Sequence, residues 1–292
     1  MDNRRRERTI TMITPITQVD SAREVRIPTG LINFDKFLGG GFVDSQCIML
    51  AGSPGAGKST MLSQLAAILA DLGYKTLYVS GEESLGQIKI RMNRLGTNRS
   101  SILCTRDTKL EQVYKDIEET DAKFVIVDSL QTLYSPKGDT RRGTTKQLEY
   151  CTLGITEYIK KTGRVLIAIG HANKGEDIAG LLKLEHMVDA TFFIKVKDGE
   201  RLMIAKKNRF GNTDLKLRLT MTERGLTQFN LNTQPTQEEK PKSQSNWKTN
   251  LMLMAGLLIA SNPKSRRSIP AYRQLVRTQL KNNAKIEVNI LG

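Results

Sequence analysis

Acidic residues, aromatics and histidines are scarce in this sequence. Thirty Asp and Glu face forty-five Lys and Arg, a net charge of +15 with an isoelectric point near 9.8. That imbalance points to a polyanionic partner, nucleic acid first, and says nothing of fold. Aromatics are 5% of the chain, with a single tryptophan, Trp247, so a nucleic acid is expected to be held through phosphates more than by base stacking. The three cysteines, Cys47, Cys104 and Cys151, are widely spaced with no C-x-x-C pair, which excludes a readable zinc ribbon and fits a reducing cytoplasm. With only His171 and His186, a histidine-built metal centre is not expected. The longest apolar run, LMLMAGLLIA at 251–260, is half a membrane span and reads as a buried helical segment, so no membrane partner is expected. The N-terminal MDNRRRERTI is basic but lacks the apolar core of a signal peptide.

What is present is an alternating pattern between about 47 and 222. Apolar runs CIMLAG, TLYVSG, FVIVDS, VLIAIGH and TFFIKV are separated by longer helical-looking stretches. Runs buried on both faces and alternating with helices predict an α/β domain with a mostly parallel sheet. RLMIAKKN and LKLRLTMT then follow with no room for a helix, and predict antiparallel strands appended at one edge. The division expected is a basic arm at 1–25, a core at 26–229, a polar linker at 230–246 and a basic, partly helical extension at 247–292. From Lys240 onward ten Lys and Arg stand against one acid, Glu287, so this end carries nine of the fifteen net positive charges. The extension reads equally as a solvated tail or as a segment that binds DNA or a protein.

GSPGAGKST at 52–60 follows a strand-like run and opens a helix. This G-x-x-x-x-G-K-S pattern in its strand–loop–helix context is a phosphate-binding loop for a nucleotide. Gly52, Ser53, Pro54, Gly55, Ala56, Gly57, Lys58, Ser59 and Thr60 form the nucleotide cradle. Its backbone N–H groups and the helix dipole face the phosphates. Lys58 is expected on the β and γ phosphates and Ser59 on Mg²⁺. Asp128, ending FVIVD, is the second half of the metal site, a carboxylate at a strand tip. Glu82 and Glu83, at another strand tip, are candidates for the base that orients the attacking water; the residues alone do not choose between them. Acids at a helix start also occur without function. His171 ends a further strand and reads either as a γ-phosphate sensor or as a structural residue.

The runs RIPTGLINFDKFLGGGFVDSQCIMLAGSPGAGKST, YVSGEES, VDSLQTLYS, GHANKGEDIAG, LEHMVD and KNRFG resemble the RadA (Sms) family of RecA-like, DnaB-type motor ATPases, over about residues 26 to 226. KNRFG at 207–211 is the most specific of these. The resemblance implies a RecA-like P-loop NTPase fold, a homo-hexameric ring and ATP-driven translocation on single-stranded DNA in branch migration. It also implies that Glu82 is the base and that Lys207 and Arg209 act on a neighbouring subunit's nucleotide. Family members usually carry a four-cysteine zinc finger and a Lon-like domain. Neither is read here, so a minimal motor, of phage or mobile-element origin, is expected, with a recombinase or replication protein as partner and a replicative helicase role open.

The loops after the fourth and fifth core strands are expected to face a central channel in such a ring. Lys137, Arg141, Arg142 and Lys146 lie in the first, at 134–147, and Lys174 and Lys183 in the second, at 172–183. Basic, glycine-containing loops suit phosphate tracking. Two other classes remain open: a filament-forming strand-exchange recombinase and a signalling ATPase of the KaiC type.

Overall fold

The computed structural model describes Thr17 and residues 26–138, 141–171 and 183–232, with backbone alone from residue 228. Lys174, the remainder of the arm and the whole 247–292 extension lie outside the described residues.

In the described unit, β1 (Arg26–Ile27) and β2 (Phe42–Val43) pair as a small antiparallel ribbon around α1 (Ile32–Leu38). The main sheet holds β3 (Cys47–Gly52), β4 (Thr76–Ser80), β5 (Ile102–Thr105), β6 (Phe124–Asp128), β7 (Val165–His171), β8 (Ala190–Lys197), β9 (Glu200–Asn208), β10 (Lys216–Thr222) and β11 (Gly225–Asn232). Their order is β11-β10-β9-β8-β3-β7-β6-β4-β5. From β8 through β5 every pairing is parallel, and β8 to β11 are antiparallel.

Strand alternation divides the core between two faces, since successive side chains of a strand point to opposite sides. Ile48, Leu50, Tyr78, Phe124, Ile126 and Ile167 pack with α1, α2 (Lys58–Asp71) and α3 (Leu85–Leu95). Met49, Leu77, Val79, Val125, Val127 and Leu166 pack instead with α4 (Leu110–Thr120) and α5 (Thr145–Thr162). A sheet covered on both faces must be apolar at nearly every central position, and β3, β4 and β6 are buried at every residue.

Three details differ from the sequence reading. β9, whose last two residues begin KNRFG, was expected at the far edge of the sheet and lies inside it, because β10 and β11 continue beyond it. β11 runs to Asn232, into the stretch expected as linker, because it pairs with β10 as far as Lys216↔Asn232. β5, absent from the sequence reading, is a short edge strand whose four residues are all only half-buried.

Candidate nucleotide site

The glycine-rich loop joins β3 to α2 at the carboxyl end of the parallel strands, where α/β folds place their ligands. Gly52 is required there twice over. Its φ is 149°, and a Cβ would come within 2.6 Å of the Ile194 carbonyl oxygen on β8. The Lys58 Nζ donates to the carbonyls of Gly52 at 2.9 Å and Ser53 at 3.0 Å. Burial lowers the Lys58 pKa, against the pull of Asp128 and Glu82. Arg201 on β9 braces the loop from outside, donating to the Ala56 carbonyl at 3.2 Å.

Asp128 reaches the same place from the end of β6 and is almost wholly buried. Burial raises its pKa, and the Ser59 and Tyr78 hydroxyls oppose the rise. Oδ2 accepts from the Tyr78 hydroxyl at 2.9 Å. Oδ1 is buried with no well-formed hydrogen bond among the described residues. A buried carboxylate oxygen left open beside a serine hydroxyl suits Mg²⁺, which takes one or two protein oxygens and completes its shell with water and phosphate. Ser59 and Asp128 therefore fit the metal pair expected for them. No cluster of three or more His, Cys, Asp or Glu able to hold a metal occurs among the described residues.

The two glutamates separate. Glu82 Oε1 accepts from the Ser129 hydroxyl at 2.6 Å and meets His171 Nε2 at 2.7 Å. Its side chain and that of His171 stay part-exposed, at 41% and 37%. Glu83 turns away into an ion pair with Arg91 of α3. Strand register brings Glu82, Ser129 and His171 together: Ser80 of β4 pairs with Asp128 of β6, and Gly52 of β3 with His171 of β7. Ser129, Tyr78 and Arg91 were not singled out from sequence.

Lys207 and Arg209 lie at the other end of the sheet. Asn208 pairs with Ala190 on β8, and Ala190 with Ile48 near the start of β3. About 13 Å of strand separates that level from Gly52. Lys207 Nζ donates to the carbonyls of Glu185 at 2.6 Å and Val188 at 2.7 Å. Desolvation and then neighbouring Arg209 lower its pKa. Arg209 Nη1 donates to Asp189 at 2.9 Å, and 53% of its side chain is exposed. The buried Asp189 also accepts from Lys160 at 3.2 Å and from the Cys47 backbone N–H at 2.9 Å. Burial, then Asp189, pushes the Cys47 thiol up to about 12. Gly211 closes the KNRFG turn. Its φ is ordinary, and the constraint is space: a Cβ would stand 2.8 Å from the Leu38 carbonyl.

The basic residues expected on DNA divide as well. Lys137, Arg141, Arg142 and Lys146 are exposed after the carboxyl end of β6. Arg142 is held by Thr108 at 2.9 Å and lies 4.3 Å from the Tyr134 ring centre. Lys146 is on the first turn of α5 rather than in a loop, because the Thr144 hydroxyl caps that helix by accepting from the Gln147 N–H. Lys183 pairs with Glu149 at 3.0 Å.

A phosphate loop on the central strand of a parallel sheet, with a carboxylate two strands away, defines a P-loop NTPase of the RecA-like class. The family profile described as "ATPase: KaiC" matches residues 27–105. A KaiC-like protein from Pyrococcus horikoshii shares the fold, with a TM-score of 0.58 at 17% identity over 70% of this chain and 99% of that one. The DNA repair protein RadA of Halalkalibacterium halodurans is 40% identical over 217 residues, 73% of this chain and 47% of that protein. RadA of Bacillus subtilis is 38% identical over 225 residues, 75% and 48% of the two chains. Over this shared region the chain belongs to the RadA family. The chain spans about half the length of the curated relatives it matches. No helix among the described residues is long and apolar enough to cross a membrane.

Proposed function

We propose that this chain hydrolyses ATP with Mg²⁺ and, as a homo-hexameric ring, couples hydrolysis to movement along single-stranded DNA in repair and recombination. Family membership supports the repair setting, since the RadA relatives are named as DNA repair proteins. The observation that carries the reading is the division of the chemistry between the two ends of the sheet. One end has the groups that bind and attack a nucleotide. The other presents Arg209, which cannot reach the nucleotide of its own chain.

In this mechanism Lys58 exchanges its carbonyl partners in the loop for the β and γ phosphate oxygens. Ser59 and Asp128 hold the metal, which neutralises charge on those phosphates when bound. Glu82 orients the attacking water and takes its proton. Ser129 and His171 hold its carboxylate in place, and His171, at the end of β7, relays the state of the γ-phosphate towards the DNA. Arg209 stabilises transition-state charge on the neighbouring subunit's γ-phosphate. Lys207 anchors the 185–188 turn beside it. Lys137, Arg141, Arg142, Lys146, Lys174 and Lys183 track the DNA phosphates, so binding weakens steeply with salt.

A DNA-independent, KaiC-like signalling ATPase is the second reading, favoured by the profile match over residues 27–105. ATPase assays with and without single-stranded DNA separate the two. Stimulation by DNA that fades with salt supports the motor, and equal turnover in both supports the signalling enzyme.

A further inference from the structure

Arg91 of α3 sits outside the roles assigned so far. Only 10% of its side chain is exposed, and a buried guanidinium is retained at a cost unless each of its donors is used. Its donors run in three directions. Nη1 pairs with Glu83. Nη2 donates to the Tyr78 hydroxyl at 3.0 Å, and the Tyr78 hydroxyl in turn donates to Asp128 Oδ2 at 2.9 Å. Nε donates to Ser63 Oγ at 3.1 Å, and Ser63 donates to the Ser59 carbonyl at 2.9 Å. Both residues of the metal pair, Ser59 on α2 and Asp128 on β6, are thus reached from one guanidinium through one intervening hydroxyl each.

Bond directions fix what each link does. A phenol has one proton, so a Tyr78 hydroxyl that accepts from Arg91 must turn that proton outward, towards Asp128. That leaves Oδ2 occupied and Oδ1 open, and Oδ1 is the oxygen found without a donor. The Ser63 bridge fixes the first turn of α2, which carries Ser59. Glu83 supplies the counter-charge, so the metal site has a rigid brace with no net positive charge beside it.

We infer that Arg91, acting through Tyr78 and Ser63, is the positioning residue that sets the Ser59–Asp128 pair for a divalent cation, with Glu83 as its counter-ion. The inference rests on the Mg²⁺–nucleotide reading above. Removing a hydrogen-bond partner that holds a metal ligand typically costs about 10- to 100-fold in metal affinity.

The test is binding of a fluorescent ADP analogue to the full-length chain, titrated with Mg²⁺ and repeated in EDTA, with melting temperatures measured alongside. The variants are Tyr78→Phe, Ser63→Ala and, as reference, Asp128→Asn. Tyr78→Phe is expected to raise the half-saturating Mg²⁺ concentration about tenfold while leaving binding in EDTA unchanged. Ser63→Ala is expected to shift it in the same direction by less. If Asp128→Asn shifts the Mg²⁺ midpoint while Tyr78→Phe and Ser63→Ala only lower the melting temperature, Arg91 has a purely structural role and the inference is overturned. If nucleotide binding by the wild-type chain ignores Mg²⁺, the metal-site reading fails, and the inference with it.

Discussion

The two ends of the sheet hold polar clusters built on opposite plans. At the carboxyl end, Lys58 is held by loop carbonyls alone, Asp128 has an open buried oxygen, and Glu82 and His171 remain part-exposed. At the amino end, Asp189 satisfies a backbone N–H, Lys160 and Arg209 together, and both donor contacts of Lys207 go to carbonyls. Leaving a buried polar atom unpaired costs about 1–3 kcal/mol. Beside the phosphate loop, an open carboxylate oxygen such as Asp128 Oδ1 suits a partner that arrives as a ligand. A cluster whose charged groups are bonded within the fold, as Asp189 and Lys207 are, needs no ligand to persist and can present one exposed cation outward.

The sharpest break of this contrast is Lys58→Ala. It is expected to abolish ATP hydrolysis, measured as phosphate release, while the fold at the amino end persists; wild-type turnover would remove the nucleotide site altogether. Next comes the pair of glutamates. Glu82→Gln is expected to lower kcat about 10²- to 10⁴-fold, whereas Glu83→Gln, which loosens only the Arg91 pairing, should cost far less. Equal losses would mean that the ion pair with Arg91 opens during turnover.

Asp189→Asn tests the other end. It keeps an acceptor for the Cys47 N–H but withdraws the charge that Lys160 and Arg209 share. A loss of about 2 kcal/mol in urea unfolding is expected, with nucleotide binding retained. The smallest effect is on the stability of the nucleotide-free protein. Burial lifts the Asp128 pKa above its unfolded value, so ionising this group opposes folding, and the penalty appears as pH rises through the folded pKa. Asp128→Asn should therefore melt a few degrees higher than wild type at neutral pH, and the gain should vanish in acid, even though the variant is inactive. An unchanged or lower melting temperature at neutral pH would show that Asp128 is already compensated.

How much could be read beforehand follows from how local each signal is. The runs at 47–52 and 165–171 coincide with β3 and β7 because strands covered on both faces must be apolar throughout. β5 escaped because an edge strand of half-buried residues has no such signature. β11 escaped because polar residues interrupt it and its partner is supplied by β10. The phosphate loop was legible since its chemistry lies in nine consecutive residues. Asp128 and Glu82 were legible as acids at strand tips. Tyr78, Arg91, Ser129 and Asp189 were not, because their partners lie on other elements: Asp189 meets Cys47 across 142 positions and Tyr78 meets Asp128 across 50. Nothing near those residues marks them. Only the order of strands brings them together.

The central claim is that the amino end of one subunit completes the nucleotide site of the next. Mixing subunits tests it most directly. Arg209→Ala alone should bind ATP normally and lose DNA-stimulated hydrolysis, and Lys58→Ala alone should be inactive. In rings verified to contain both, an intact loop from the first variant meets an intact Arg209 from the second, and hydrolysis should partly return. Complete inactivity of such mixed rings would contradict a role for Arg209 across the subunit boundary.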